Sequence, residues 1–467
     1  MKSKPGKATF VVVANRLPVD RIAGADGSVS WRTSPGGLVT ALEPVMRRMG
    51  GAWVGWHGAA DEHVEPFDHD GFRIEPVPLS FEEVEEYYEG FSNATLWPLF
   101  HDSVAFPEFH REWWDAYQRV NARFAEHAAR VAAPDATVWV QDYQLLLVPQ
   151  LLRALRPDLK IGFFLHIPFP PVELYLQIPW RRRLLEGLLG ADLVGFQLPG
   201  GASNFLRLAK RYTAHNVERD RVSMGDHTCI ARAFPISIDT AGFAALAQSP
   251  EVVAEAEQLL AELGHPKTIF LGADRLDYTK GLRQRIRAMG ELFAEGRLDP
   301  ADVVFFQIAT PSRERVDEYR KLRDDIDLLV GRINSEVGGV GRPAIVYRHA
   351  SFSRASMAAL YRIADVMVVT PLRDGMNLVA KEYIACHPNT AGALVLSEFA
   401  GAARELRQAY LVNPYDLDGM KEILLRAARD PLAVRRRRMR ALKKQVRENT
   451  IERWADSFLS TLASCVP

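Results

Sequence analysis

The chain has 467 residues, room for two or three domains, with 58 Lys plus Arg against 58 Asp plus Glu. Zero formal net charge excludes bulk electrostatic attraction to nucleic acid or an anionic membrane as the main activity, and 48% hydrophobic with 25% charged residues is the composition of a soluble globular protein. Three scattered cysteines, Cys229, Cys386 and Cys465, make neither a disulfide framework nor a Cys-x-x-Cys metal site and point to a reducing, cytoplasmic compartment. No run approaches the roughly 18 apolar residues of a membrane span. Asn15 and Arg16 cut the first apolar run too short for a signal peptide.

The first predicted strand, Phe10–Ala14, is followed by Asn15-Arg16-Leu17-Pro18 and then by Ser34-Pro35-Gly36-Gly37-Leu38. Glycines there let backbone approach a ligand closely, and a helix is predicted to start after them. Trp53, Trp56 and the segment from Tyr87 and Tyr88 to Trp97 add aromatics, which suit a sugar face or fill a core. Strands predicted at Thr137–Gln141 and Ile161–Leu165 end on Asp142 and His166, and Pro168, Pro170 and Pro171 force the chain out of the sheet. Each of those two residues reads equally as a site group or as a satisfied structural one. A strand at Leu193–Phe196 completes this series, and a break follows near Pro235–Asp239.

A second series of strands is predicted at Ile269–Gly272, Val303–Ile308, Ala344–Tyr347, Val366–Thr370, Ala393–Ser397 and Leu411–Asn413, with helices such as Met357–Ile363 and Met420–Ala428 between them. Several strands are apolar throughout, as parallel strands are when helices cover both faces. The fold class is therefore α/β, with two Rossmann-like doubly wound domains facing across a cleft. Ligands in such sheets sit outside the carboxyl ends of the strands.

Two clusters follow strands of the second series. Arg275-Leu276-Asp277-Tyr278-Thr279-Lys280-Gly281 brings two cations to a strand end, either as a diphosphate seat or as partners of Asp274 or Asp277. In Pro371 to Glu382, Gly375 makes a turn and a helix starting at Asn377 aims backbone N–H groups at an anion. Asp374 is placed to accept from sugar hydroxyls and Glu382 from ribose hydroxyls, or the two are a capping Asp and a surface Glu. The run Arg435 to Arg440, with Lys443 and Lys444, reads as a solvated helix face. The strings Asp68–Asp70, Asp325–Asp327 and Asp416–Asp418 read as composition rather than a metal site, and Walker A, nucleophile-elbow and zinc-protease motifs are absent.

These strings together resemble the trehalose-6-phosphate synthases, retaining glycosyltransferases of the GT-B fold. The most specific are Phe163-Phe-Leu-His-Ile-Pro-Phe-Pro170, Arg275 to Gly281 and Thr370 to Glu382, with Gln307-Ile-Ala-Thr-Pro-Ser-Arg313 and Phe399-Ala-Gly-Ala-Ala403 in support. The resemblance implies transfer of glucose from UDP- or GDP-glucose to glucose 6-phosphate with retention, giving α,α-trehalose 6-phosphate, the first step of trehalose biosynthesis. It implies that Arg275 and Lys280 bind the donor diphosphate and that Asp374 holds donor hydroxyls. Asn377, Leu378 and Val379 would offer backbone N–H groups, Glu382 would take the ribose, and Gly36 and Gly37 would lie over the phosphates. His166 would stand near the reacting carbon. Arg16, Tyr88, Trp97 and Arg313 would grip the acceptor phosphate, while Trp56 and Asp142 would orient the acceptor sugar.

No metal or other cofactor is implied, and the partners are the two sugar substrates, with no nucleic acid and no membrane. The resemblance is compatible with a homo-oligomer. We expect an acceptor domain over 1–238, a donor domain over 239–450, and a terminal helix over 451–467 crossing back to the first. No phosphatase domain is expected after Pro467. A relative with another acceptor or with cyclitol coupling, a silent sugar-phosphate sensor, and a nucleotide-sugar epimerase are the competing readings. The donor base stays open, with backbone near Ser351–Arg354 a candidate for its recognition.

Overall fold

The computed structural model describes residues 7–23, 29–34, 37–339 and 341–465. The chain forms two compact units, one of residues 1–236 with 452–467 and one of residues 237–451.

In the first unit the strands are β1 (Ala8–Arg16), β2 (Val19–Ala23), β3 (Val29–Thr33), β4 (Ala52–Trp56), β5 (Phe67–His69), β6 (Phe72–Pro76), β7 (Ala132–Gln141), β8 (Lys160–Phe164), β9 (Leu193–Phe196), β10 (Asn216–Glu218), β11 (Arg221–Met224) and β12 (His227–Ala233). Ten of them form one sheet in the order β10-β11-β12-β9-β8-β7-β1-β4-β6-β5, and β2–β3 is a separate hairpin. From β12 to β6 every neighbouring pair is parallel. The chain builds β1, β4 and β6 outward, then returns to the other side of β1 for β7, β8 and β9. That is the doubly wound order, and its reversal lies between β1 and β7. Phe10 to Val13 have no exposed surface, because helices cover both faces of these strands.

The terminal helix, Ile451–Ala463, belongs mainly to this unit. Phe458 stacks on Trp139 with ring centroids 4.5 Å apart. Gly162 and Gly195 make room for it: a Cβ on either would come within 2.8 Å of the Phe458 ring. Glycine in a strand here marks a close approach.

In the second unit β13 (Thr268–Arg275), β14 (Val303–Thr310), β15 (Ile345–Arg348), β16 (Val366–Val369), β17 (Ala393–Ser397) and β18 (Tyr410–Val412) form an all-parallel sheet in the order β15-β14-β13-β16-β17-β18. The winding is the same, with its reversal between β13 and β16. Phe270, Ile286, Met289, Leu292, Phe305, Ile326 and Val368 are among the core side chains between sheet and helices. Several ends differ from the sequence reading. β13 continues three residues further, through Arg275, because its register with β14 runs to Arg275–Thr310. The strands predicted to end at Leu165 and Thr370 stop one residue earlier, at Phe164 and Val369, while the one before Asp142 ends at Gln141 as predicted. The cysteines are free and buried. Among the described residues no helix is long and apolar enough to cross a membrane.

Candidate active site

In the second unit the loops after β13 and β16 meet. Lys280 Nζ donates to Asp374 Oδ2 at 2.6 Å, and Asn377 Nδ2 donates to the same oxygen at 3.1 Å. Both members of the ion pair are nearly buried. Asn377 holds φ at +88° and caps the helix Leu378–Cys386, its Oδ1 accepting from Ala380 N at 3.1 Å. That leaves the N–H groups of Leu378 and Val379 in the open first turn of the helix. Gly281 sits at φ +64°, where a Cβ would overlap the Thr370 carbonyl oxygen, so glycine is required for the two loops to touch. Gly401 plays the same part against Gly375, and Gly401 N donates to Asp374 O at 3.1 Å.

Behind this pair lies Asp277, fully buried. Arg313 Nη1 is 3.6 Å and Arg275 Nη2 3.8 Å from Asp277 Oδ2. Burial would raise the Asp277 carboxyl, but Arg313, Arg275 and Lys280 outweigh burial and hold it at about 2. Arg313 adopts φ +50°, and its guanidinium donates to the Tyr319 hydroxyl. Arg275 is the most exposed of the three cations. Glu382 lies four residues into the capped helix, where it accepts from Tyr361 OH at 3.0 Å, and burial raises its carboxyl above the usual range.

In the first unit a second cluster stands at the reversal between β1 and β7. The Arg16 guanidinium lies 5.1 Å from the centre of the Trp56 ring, and Tyr88 meets Trp56 edge-on at 5.8 Å. Gly58, at φ +103°, permits this, since a Cβ there would overlap the guanidinium. Tyr88 is carried by a π-helix, Val84–Leu96, a rare form that is frequent at functional sites. Asp142 follows β7 at φ +74°, and its Oδ1 accepts from His166 N at 3.1 Å. His166 Nε2 lies 2.9 Å from Gln141 Oε1, and Gln141 Nε2 donates to Trp139 O at 3.5 Å. That network puts the His166 proton on Nε2 and leaves Nδ1 as the acceptor. Burial pushes the ring down to about 3, so it is neutral near pH 7. Trp97 packs against His101 and Tyr143 at 4.2 and 5.6 Å.

Of the sequence-predicted residues, Arg275, Lys280, Asp374, Asn377 and Arg313 thus form one group and Arg16, Trp56 and Tyr88 another, with Asp142 beside His166. Glu382 is set apart by its helical turn. Gly37 opens the helix Gly37–Met49, and Gly36 lies outside the described residues. Of the two readings left open for the aromatics, the second holds: Trp53, Trp56, Tyr87 and Trp97 are buried and fill the core. Their rings fill the space behind the β1 and β7 ends, and Trp53 Nε1 donates to Arg16 O at 3.1 Å.

Lys280 takes Asp374, not Asp274 or Asp277, as its hydrogen-bonded partner. Asp274 pairs instead with the buried Arg285 at 2.6 Å, and Arg285 also donates to Gln307 Oε1 and Lys280 O. The sequence reading gave no role to Arg285 or Tyr319, and offered Asp277 only as an ion-pair partner, which it is for Arg275 at 3.8 Å. An Arg among apolar residues on the buried face of a helix was the available signal for Arg285. Among the described residues no group of three or more His, Cys, Asp or Glu side chains is placed to hold a metal ion.

A family model described as Glycosyltransferase family 20 matches residues 8–464. A trehalose-6-phosphate synthase of Mycolicibacterium vanbaalenii is 56% identical over 481 aligned positions, covering 100% of this chain and 98% of the relative. The structure of a UDP-forming α,α-trehalose-phosphate synthase from Burkholderia xenovorans in complex with glucose 6-phosphate superposes with TM-score 0.89 at 36% identity, covering 97% of this chain and 100% of that one. An E. coli structure bound with UDP-2-fluoro glucose gives 0.88 at 35% identity, covering 98% and 100%. The fold is GT-B, and the protein is a glycosyltransferase. The chain belongs to glycosyltransferase family 20, the trehalose-6-phosphate synthases.

Proposed function

We propose that the enzyme transfers glucose from a nucleoside diphosphate glucose, with UDP-glucose as the preferred donor, to glucose 6-phosphate, forming α,α-trehalose 6-phosphate with retention. The observation that carries this reading is the Lys280–Asp374–Asn377 cluster at the β13/β16 reversal, beside the open first turn of a capped helix. A leaving diphosphate needs positive charge. Lys280 has two further N–H groups beyond the one given to Asp374, and exposed Arg275 adds a planar fork. The helix turn at Leu378 and Val379 supplies N–H groups and dipole. Asp374 accepts from glucose hydroxyls and Glu382 from the ribose. Gly37 opens a helix whose N-terminus suits phosphate.

In the first unit Arg16 and Tyr88 bind the acceptor phosphate, a role that the family resemblance extends to Arg313. Trp97 backs the Tyr88 segment, and Trp56 and Asp142 orient the acceptor sugar. His166, neutral, offers Nδ1 or its ring edge near the donor carbon. An α-configured donor and an α,α-linked product require retention, and the cations stabilise the leaving oxygen while it accepts the acceptor's proton. The UDP-forming relative and the UDP-sugar complex support UDP-glucose. Buried reduced thiols suit a cytoplasmic enzyme.

The test offers UDP-, GDP- and ADP-glucose with glucose 6-phosphate and identifies the product by its anomeric NMR couplings. The expected result is α,α-trehalose 6-phosphate, formed fastest with UDP-glucose. Preference for glycerol phosphate as acceptor, or a β-linked product, overturns the assignment.

A further inference from the structure

The basic run near the end of the second unit is not absorbed by the proposed reaction. The helix Leu432–Glu448 sets Arg440, Lys443, Lys444 and Arg447 at i, i+3, i+4 and i+7, a single face about 10 Å long. That face lines a cavity of about 460 Å³, whose other wall is the loop Pro388-Asn389-Thr390. The volume lies in the range of small-ligand sites. Like charges at this spacing oppose one another and weaken the helix. Compensation is thin: Glu448 is the one acid lining the cavity, 3.8 Å from Lys444. Among the described residues neither Arg440 nor Arg447 has a carboxylate within ion-pair distance.

Lys443 is half-buried and donates to the His387 carbonyl at 2.6 Å, leaving two N–H groups. Burial, with Arg447 nearby, lowers its pKa, as happens to a cation short of anions.

We propose that this cavity binds a small phosphorylated ligand, a diphosphate or a sugar phosphate, at a place distinct from the donor and acceptor groups. Two guanidinium forks and two ammonium groups along one face match phosphoryl oxygens a few ångströms apart. The wall formed by residues 388–390 makes the face a pocket rather than an open track, and the chain's zero net charge argues against a nucleic-acid surface. The loop directly continues the helix Leu378–Cys386. An occupant is therefore placed to act on the donor helix, a coupling that rests on the donor reading, whereas the binding does not.

Inorganic pyrophosphate is titrated calorimetrically into the full chain carrying Arg275→Ala and Arg313→Ala, which weakens the other phosphate groups. The same titration is repeated after adding Arg440→Gln and Arg447→Gln, both exposed positions. The proposal expects measurable binding in the first chain, at least fivefold weaker binding in the second, and recovery when Arg447 is changed to Lys instead. Absence of binding in the first chain, a weakening below fivefold, or displacement of pyrophosphate by a tighter-binding oligonucleotide overturns it. Failure of the donor reading would appear separately, as equal pyrophosphate binding by the unsubstituted chain and the Arg275→Ala, Arg313→Ala chain.

Discussion

At the scale of single residues, Asp277 organises the group of Arg275, Lys280 and Arg313. Its buried carboxylate is tolerable because Arg313, Arg275 and Lys280 surround it, and in return it holds two guanidinium groups near one oxygen. The backbone is committed as well: Asn377, Arg313 and Asp142 all keep positive φ, a conformation that costs energy and persists where the surroundings impose it. Arg275 is more exposed than Arg313, so Arg275→Ala should lower the melting temperature less than Arg313→Ala does, while lowering kcat by about 10²–10³-fold, the loss typical of one transition-state charge donor. A kcat within about threefold of the unsubstituted enzyme would remove Arg275 from the diphosphate site. Arg313→Ala should raise KM for glucose 6-phosphate by about tenfold or more. It should also lower the melting temperature, because Asp277 keeps its burial and loses a cation. Unchanged acceptor KM would leave Arg313 with the structural role alone.

At the scale of elements, the terminal helix depends on two missing side chains. Gly162 in β8 and Gly195 in β9 open the groove that Phe458 fills, beside Trp139 and Trp454. Phe458 has no exposed surface. Phe458→Ala should therefore cost about 3–5 kcal/mol in the unfolding of the first unit, read by urea denaturation, with substrate KM values little changed in what remains folded. A loss below about 1 kcal/mol would mean that the helix contributes little to this sheet. The π-helix Val84–Leu96 shows the same dependence on surroundings. Tyr87 OH donates to Asn15 Oδ1 at 2.8 Å and Tyr143 OH to Asn93 Oδ1 at 2.7 Å, so buried polar partners hold a wide helix that its own propensities would not select.

Across the whole molecule, buried histidines set the acid side of stability. Burial lowers His166 to about 3 and His387 to about 4, from about 6.5 in an unfolded chain. Between those values the unfolded chain binds protons that the folded one refuses, so stability is complete above about pH 6.5 and is lost progressively as pH falls toward 4. Asp277, depressed to about 2, adds its own loss only below about pH 4. Urea midpoints measured at pH 7.5, 5.5 and 4.5 should fall in that order, and His166→Gln with His387→Gln should flatten the decline. A midpoint constant from 7.5 to 4.5 would show that neither ring is protected from protonation.

The parallel strands β1, β7, β8, β9 and β13 to β18 were legible in the sequence because burial on two faces leaves nearly continuous apolar runs. The hairpin β2–β3 and the strands β4, β5, β6, β10, β11 and β12 were not predicted: most are short and part-exposed, and β4, though buried throughout, is five residues interrupted by Gly55. The sequence by itself therefore determined the doubly wound class and the residue types at the carboxyl ends, which follow from local pattern and spacing. Only the tertiary structure decided which charges pair, that Lys280 meets Asp374 while Arg285 takes Asp274, and that Trp56 backs Arg16 from within the core. Pairing of that kind depends on loops 94 residues apart, as in the Lys280–Asp374 bond, meeting within 3 Å after the sheet has been wound, and no local property of either loop encodes the meeting.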